Sequence, residues 1–171
     1  MNKKYLLIII CAVILVTSAS WLVYTYKQAP LEELKEKANN FIKVKLYFYN
    51  PELDQGPGGA QCSRKGLVEV ERVISATTTP LEDTINLLLR GELSDEEKAN
   101  GISTEFPLSG VTLKSVVIDE GVATLTFNDP KFKTSGGSCR VGIIRFQIEA
   151  TAKQFPSVTS VRFMPEDLFQ P

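Results

Sequence analysis

From Phe41 to Asn50 the chain alternates, with Val44, Leu46 and Phe48 on one side and Lys43, Lys45, Tyr47 and Tyr49 on the other. A period of two predicts a half-buried strand. Gly66–Ser75 has the same character, with Val68, Val70 and Ile74 facing one way, and predicts a second strand. The period then lengthens: Leu81, Ile85, Leu88 and Leu89 recur at helical steps. Ahead of them Thr79 is placed to cap the helix, Pro80 fits its first turn, Glu82 would complete a capping box, and Gly91 closes it. Ser94 and Glu97 repeat the box for a short helical turn ending near Gly101. Val111–Ile118 alternates less cleanly, Leu113 and Val117 against Lys114 and Val116. Asp119, Glu120 and Gly121 then predict a hairpin turn into Val122–Phe127, whose Ala123, Leu125 and Phe127 face the core.

The stretch from Ser138 onward supports two readings. Val141, Ile144, Ile148, Ala152 and Phe155 recur at steps of three and four, whereas Ile144, Phe146, Ile148 and Ala150 alternate as in a strand. Length favours the helix, because about fifteen residues is long for a strand and ordinary for a helix. Pro156 would stop it, and Val161 and Phe163 then predict a last strand. The expected order is β-β-α-β-β-α-β: an α+β single domain, mostly antiparallel, with two helices packed on one face of the sheet. The intervening Pro51–Lys65 and Asn128–Ser138 are rich in turn residues and predict loops.

The first residues have no such periodicity. Lys3 and Lys4 precede Tyr5–Tyr26, twenty-two residues without a charge, and Lys27 follows. As a helix this run would be roughly 33 Å long, enough to cross a hydrocarbon core of about 30 Å. A cleaved signal peptide, with the core Tyr5–Val16 and the small residues Ser18 and Ser20 before Trp21, is the rival reading. Against it, the apolar run continues through Trp21–Tyr24, and Trp21, Tyr24 and Tyr26 suit a membrane interface. The expectation is a single-pass signal anchor over 1–27, inserted in the lipid bilayer through Tyr5–Tyr26 with its N-terminus cytoplasmic. A stalk over 28–40 and an extracytoplasmic domain over 41–171 would follow.

All twenty acidic residues lie after Lys27 with sixteen of the nineteen basic ones, giving that part a formal net charge of −4. This argues against nucleic acid as a partner. Cys62 and Cys139 are the thiols outside the apolar run. In an oxidising compartment such a pair is expected to form a disulfide. The sequence has no histidine, so a metal site built on two thiols lacks further ligands. The acidic cluster Asp95, Glu96 and Glu97 reads as a complement to a helix N-terminus. A hydrolase would need paired carboxylates or an activated nucleophile. Asp129 and Glu105 are the nearest candidates, and the serines of Ser135–Ser138 lack a histidine base or a G-x-S-x-G setting. No catalytic residue, cofactor or metal is expected.

Assembled in order, several segments resemble the GerMN domain family over roughly residues 42–164. They are the strand Val44–Phe48, the helix from Thr79 to Gly91, the step from Phe106-Pro107 to Val111–Val116, the strand Gly121–Phe127, and Ile148–Val161. The resemblance implies an exported or membrane-anchored bacterial protein with a ring-building-motif-like domain, of the kind used in transenvelope assembly, and implies no catalytic residues. The chain departs from the paired form of that domain in having one copy, and from lipoprotein relatives in lacking a lipid-attachment cysteine. The Cys62/Cys139 pair is not a feature the resemblance implies. The function expected is an envelope-facing interaction or scaffold module bound to another envelope protein or to itself. A small-ligand or peptide sensor, with its site between the two disulfide-linked loops, is the alternative. A cell-wall hydrolase ranks last.

Overall fold

The structure, a computed structural model, describes residues 40–170 together with Thr17, Ser18, Ser20, Trp21 and Tyr24. By contacts the chain divides into Met1–Phe41 and Ile42–Pro171. In the first unit the five described residues before Asn40 are helical, and Trp21 and Tyr24 are exposed. The expected span Tyr5–Tyr26 otherwise falls outside the described residues, as does the stalk 28–40 up to Asn40. Among the described residues no helix is long and apolar enough to cross a membrane.

From Phe41 onward the strands are β1 (Phe41–Tyr49), the short β2 (Gln55–Gly56) and β3 (Gly59–Ala60), β4 (Leu67–Ser75), β5 (Thr112–Asp119), β6 (Val122–Asn128) and β7 (Ser160–Met164). The helices are α1 (Pro80–Leu89), α2 (Asp95–Ala99) and α3 (Ser138–Lys153). The class is α+β. The longer elements follow the expected order β-β-α-β-β-α-β, and the two-residue β2 and β3 add a pair inside Pro51–Lys65, where a loop was expected. The strands form separate ladders: β1 with β4, β2 with β3, and β5-β6-β7. Cross-strand contacts run in opposite order along β1 and β4, Lys43 to Glu71, Lys45 to Glu69 and Asn50 to Gly66, so these strands are antiparallel.

β5 and β6 form the expected hairpin, with Asp119 opposite Val122. Glu120 and Gly121 both have positive φ, 45° and 82°, the conformation a two-residue hairpin loop of primed type requires. β7 is parallel to β6, because the long α3 carries the chain back before the last strand begins. The uneven pattern of Val111–Ile118 has a cause in the register, which shifts between Leu113 and Ser115. After that bulge Val116, rather than Val117, takes the half-buried place, and Val117 is 58% exposed. One extra residue reverses the facing of all that follow.

The core is the sum of the predicted faces. Val44, Leu46 and Phe48 of β1, Val70 of β4, Ala123, Leu125 and Phe127 of β6, and Val141, Ile144, Ile148 and Ala152 of α3 are all buried. Leu81, Ile85 and Leu88 of α1 join them, and Leu87 is buried too, whereas Leu89, expected on the inner face, is only partly buried against the core. Thr79 does not cap α1 through its side chain, and the expected box with Glu82 is absent. The Thr79 hydroxyl turns to Asp83 instead, at 3.3 Å. At α2 the expected box does form: the Glu97 N–H donates to Ser94 Oγ (3.1 Å) and the Ser94 N–H to Glu97 Oε2 (2.8 Å).

Gly91 ends α1 at φ +64°, and a Cβ there would lie 2.1 Å from the carbonyl oxygen of Phe106. Gly91→Ala is therefore expected to lose about 2–4 kcal/mol, from left-handed strain plus overpacking against a backbone atom. Gly91→Asn eases only the φ preference and should lose nearly as much. Urea unfolding of the two variants checks this, and a loss below about 1 kcal/mol in Gly91→Asn would refute the steric part.

Candidate functional site

The loop between β1 and β4 is built around Asp54, which is 3% exposed. Its carboxylate accepts the Tyr49 hydroxyl at 2.7 Å, and both the N–H and the hydroxyl of Ser63 at 2.6 Å. The Ser63 bonds, hydroxyl first, hold Asp54 below the usual carboxylate range, with Tyr49 and Lys65 adding to the effect. Burial, then the bond and charge of Asp54, push the Tyr49 phenol up to about 12. The signs follow by linkage. Asp54 contributes stability above its ordinary pKa, which is lost as pH falls through the lowered value. Tyr49 contributes stability below about pH 10, which is lost as pH rises through about 12. In a spectrophotometric titration the highest tyrosine step is expected near pH 12, and Tyr49→Phe should remove it. Ionisation of every tyrosine in the ordinary range near 10 would contradict the buried pair.

Three contacts lay this loop along one side of α3. Cys62 is joined to Cys139 with Cα atoms 5.2 Å apart, inside the span a disulfide permits. The Arg64 guanidinium lies 4.3 Å from the centre of the Phe146 ring, and it also pairs with Glu149. Cys139, Phe146 and Glu149 stand at helical steps of seven and three, on one face. The cysteine pair singled out by the sequence thus works together with an arginine stacked on an aromatic ring.

The carboxylates considered for catalysis hold the second loop. Burial opposes the charge of Asp129, but the N–H and hydroxyl of Thr134 and the N–H groups of Lys133 and Lys131 outweigh it and keep its pKa low. The Lys133 and Thr134 N–H groups donate at 2.8 and 2.7 Å and the Thr134 hydroxyl at 2.7 Å, so both oxygens are engaged. Glu105 accepts from Arg140 Nε at 2.9 Å, and the same guanidinium donates to the carbonyls of Lys133 and Ser135 at 3.0 and 2.6 Å. Ser138 is the first residue of α3. In the acidic cluster, Glu97 receives Arg72 through both nitrogens at 2.7 and 2.8 Å, which ties α2 to β4 and lowers the Glu97 pKa. Among the described residues no group of three His, Cys, Asp or Glu is placed to hold a metal.

A further hollow lies elsewhere. A groove of about 360 Å³ runs between the start of α1, β5 and the segment after α3, with Pro80, Leu81, Val116, Ile118 and Phe155 as its apolar lining and Thr78, Thr79, Glu82 and Ser157 at its polar positions. None of these residues comes from the two disulfide-linked loops, where the alternative reading as a sensor put its site. β5 ends its sheet, and Val117 and Ile118 are 58% and 42% exposed there. Sequence reading missed this groove because its walls come from three distant segments. The run Val116-Val117-Ile118, apolar on both faces of an end strand, was the available signal.

Residues 45–167 match the family model Germane, described as sporulation and spore germination. No curated protein matches the chain. Among solved structures it is similar to the tandem GerMN domains of the sporulation protein GerM from Bacillus subtilis, at 19% identity and a TM-score of 0.48, covering 75% of this chain and 40% of that one. The first GerMN domain of the same protein gives 19% identity and a TM-score of 0.49 over 74% of this chain and 86% of that one. A putative lipoprotein from Clostridium perfringens gives 16% identity and a TM-score of 0.37, with 74% and 77% covered. The chain spans less than half of the tandem-domain protein. With most of its length matched by the family model, the chain belongs to the Germane family, as a GerMN-like domain.

Proposed function

We infer that this protein is a membrane-anchored, extracytoplasmic interaction module of the bacterial cell envelope that performs no catalysis. Its bilayer contact would be Tyr5–Tyr26, and its partner another envelope protein. The observation that carries the interaction reading is β5: an end strand with Val117 and Ile118 exposed beside an apolar groove, the arrangement in which a partner segment can extend a sheet and seat its side chains. Two further observations support the reading. A bridge between Cys62 and Cys139 suits an oxidising compartment. Asp129 and Glu105 are engaged in holding a loop.

The test is a crosslinking pull-down from intact cells carrying full-length protein, compared with Val117→Lys/Ile118→Lys. A partner captured by the wild type and reduced roughly tenfold or more in the variant supports the reading. A partner captured equally by both removes β5 from it, and the absence of any enriched partner counts against the module itself.

A further inference from the structure

The outer edge of β1 is met by groups from outside its ladder. Gln154, just past the end of α3, accepts the Lys45 N–H at 2.7 Å and donates to the Lys45 carbonyl at 2.6 Å. Its amide also donates to the Thr151 carbonyl at 2.7 Å, which fixes the group at the helix end. One residue pair along, the Tyr47 N–H donates to Thr151 Oγ1 at 3.1 Å, and Thr151 is fully buried. Tyr49 exchanges both of its backbone bonds with Ser103, at 3.1 and 2.7 Å. Alternate residues of a strand direct their backbone groups to the same edge. Lys45, Tyr47 and Tyr49 therefore mark the edge turned away from β4, and each is met by a group that is not a strand.

The sequence of β1 gives that edge its importance. Phe41–Tyr49 contains no proline or glycine and is dense in aromatic and β-branched residues, the composition most prone to add a further strand. Lys43 and Lys45 do little to prevent this, because Glu71 and Glu69 pair with them from β4. A carboxamide carries one acceptor and donors in the geometry of a peptide group, so Gln154 satisfies Lys45 as a neighbouring strand would.

We propose that Gln154, with Thr151, is an edge lock: a side-chain substitute for a strand that keeps a second copy of this chain from adding antiparallel at β1. The lock sits on α3, so strand addition at β1 requires displacing the end of that helix. Association of the intact fold is thereby directed to other surfaces. The proposal does not depend on the β5 reading, which concerns a different sheet.

The test uses full-length protein purified in a mild detergent. Gln154→Leu keeps the side chain's bulk and removes both bonds to Lys45. Sedimentation over a range of concentrations is expected to show an association constant raised roughly tenfold or more over wild type, with hydrogen exchange at Lys45, whose N–H the variant frees, slowing as concentration rises. Lys45→Pro added to Gln154→Leu removes the outward N–H that a second copy would use and is expected to restore wild-type sedimentation. Wild-type sedimentation of Gln154→Leu at every concentration overturns the proposal. So does an oligomer that survives Lys45→Pro. If Gln154→Leu gives no cooperative melt, Gln154→Glu, which keeps the acceptor and loses the donor to the Lys45 carbonyl, is judged by the same outcomes.

Discussion

Removing the disulfide with Cys62→Ala/Cys139→Ala is expected to lower the unfolding free energy by up to about 4.5 kcal/mol, the chain-entropy value for so long a closed loop. The bridge closes a loop of 77 residues in sequence separation, which includes β4, α1, α2, β5 and β6. In the folded state the loop has other attachments: Arg64 on Phe146 and Glu149, and Asp54 holding Ser63 and Tyr49. The folded double variant should therefore keep its loop in place, and the loss should come from a freer unfolded chain. Two measurements separate this from a local collapse. The urea m-value should rise, because the unfolded state exposes more surface without the crosslink, and the high tyrosine step of Tyr49 should persist. An unchanged urea midpoint would show that the bridge does not constrain the unfolded chain. Loss of the Tyr49 step would show that the bridge, not Arg64, seats the loop.

Much of this architecture was legible because each element has a strong local pattern. The buried face of β1 follows from strict alternation, and α3 from three-and-four spacing that a sixteen-residue helix satisfies. The failures are equally physical. The cap of α1 depends on backbone angles at Thr79, φ −122° and ψ 52°, that residue type alone does not set. The facing of Val116 and Val117 turns on one bulge in β5. Thr151 and Gln154 have no part in the apolar spacing of α3, yet they supply hydrogen bonds to a strand more than one hundred residues earlier. Asp129 and Glu105 drew notice as carboxylates, and only the fold shows what occupies them. Polar groups whose partners are distant in sequence carry no periodic signal, so candidate sites are harder to read than cores.

The same limit applies to the C-terminal segment, and Phe169→Ala is expected to lose about 3–5 kcal/mol, the cost of truncating a fully buried phenylalanine. Nothing in the spacing of residues 165–170 marks them as core. In the structure Leu168 is 9% exposed and Phe169 only 2%. The Phe169 ring meets Phe163 at 4.8 Å and 67° and Phe127 at 5.9 Å and 88°, edge-on geometries that add to burial. Those two partners belong to neighbouring strands, β7 and β6, so Phe169 closes the end of the three-stranded sheet. Its backbone has φ +57°, a conformation disfavoured by roughly 1–2 kcal/mol for a residue with a side chain, and the packing of the ring offsets that cost. Phe169→Leu keeps apolar volume but not the edge contacts and should lose less, on the order of 1–2 kcal/mol. Urea unfolding of the two variants gives the comparison. If Phe169→Ala cost less than about 1 kcal/mol, the segment would be an appendage and the core would end with β7. A loss in the expected range makes Phe169 as much a part of the fold as Phe48 or Ile148, although it lies beyond residue 167, where the family match ends.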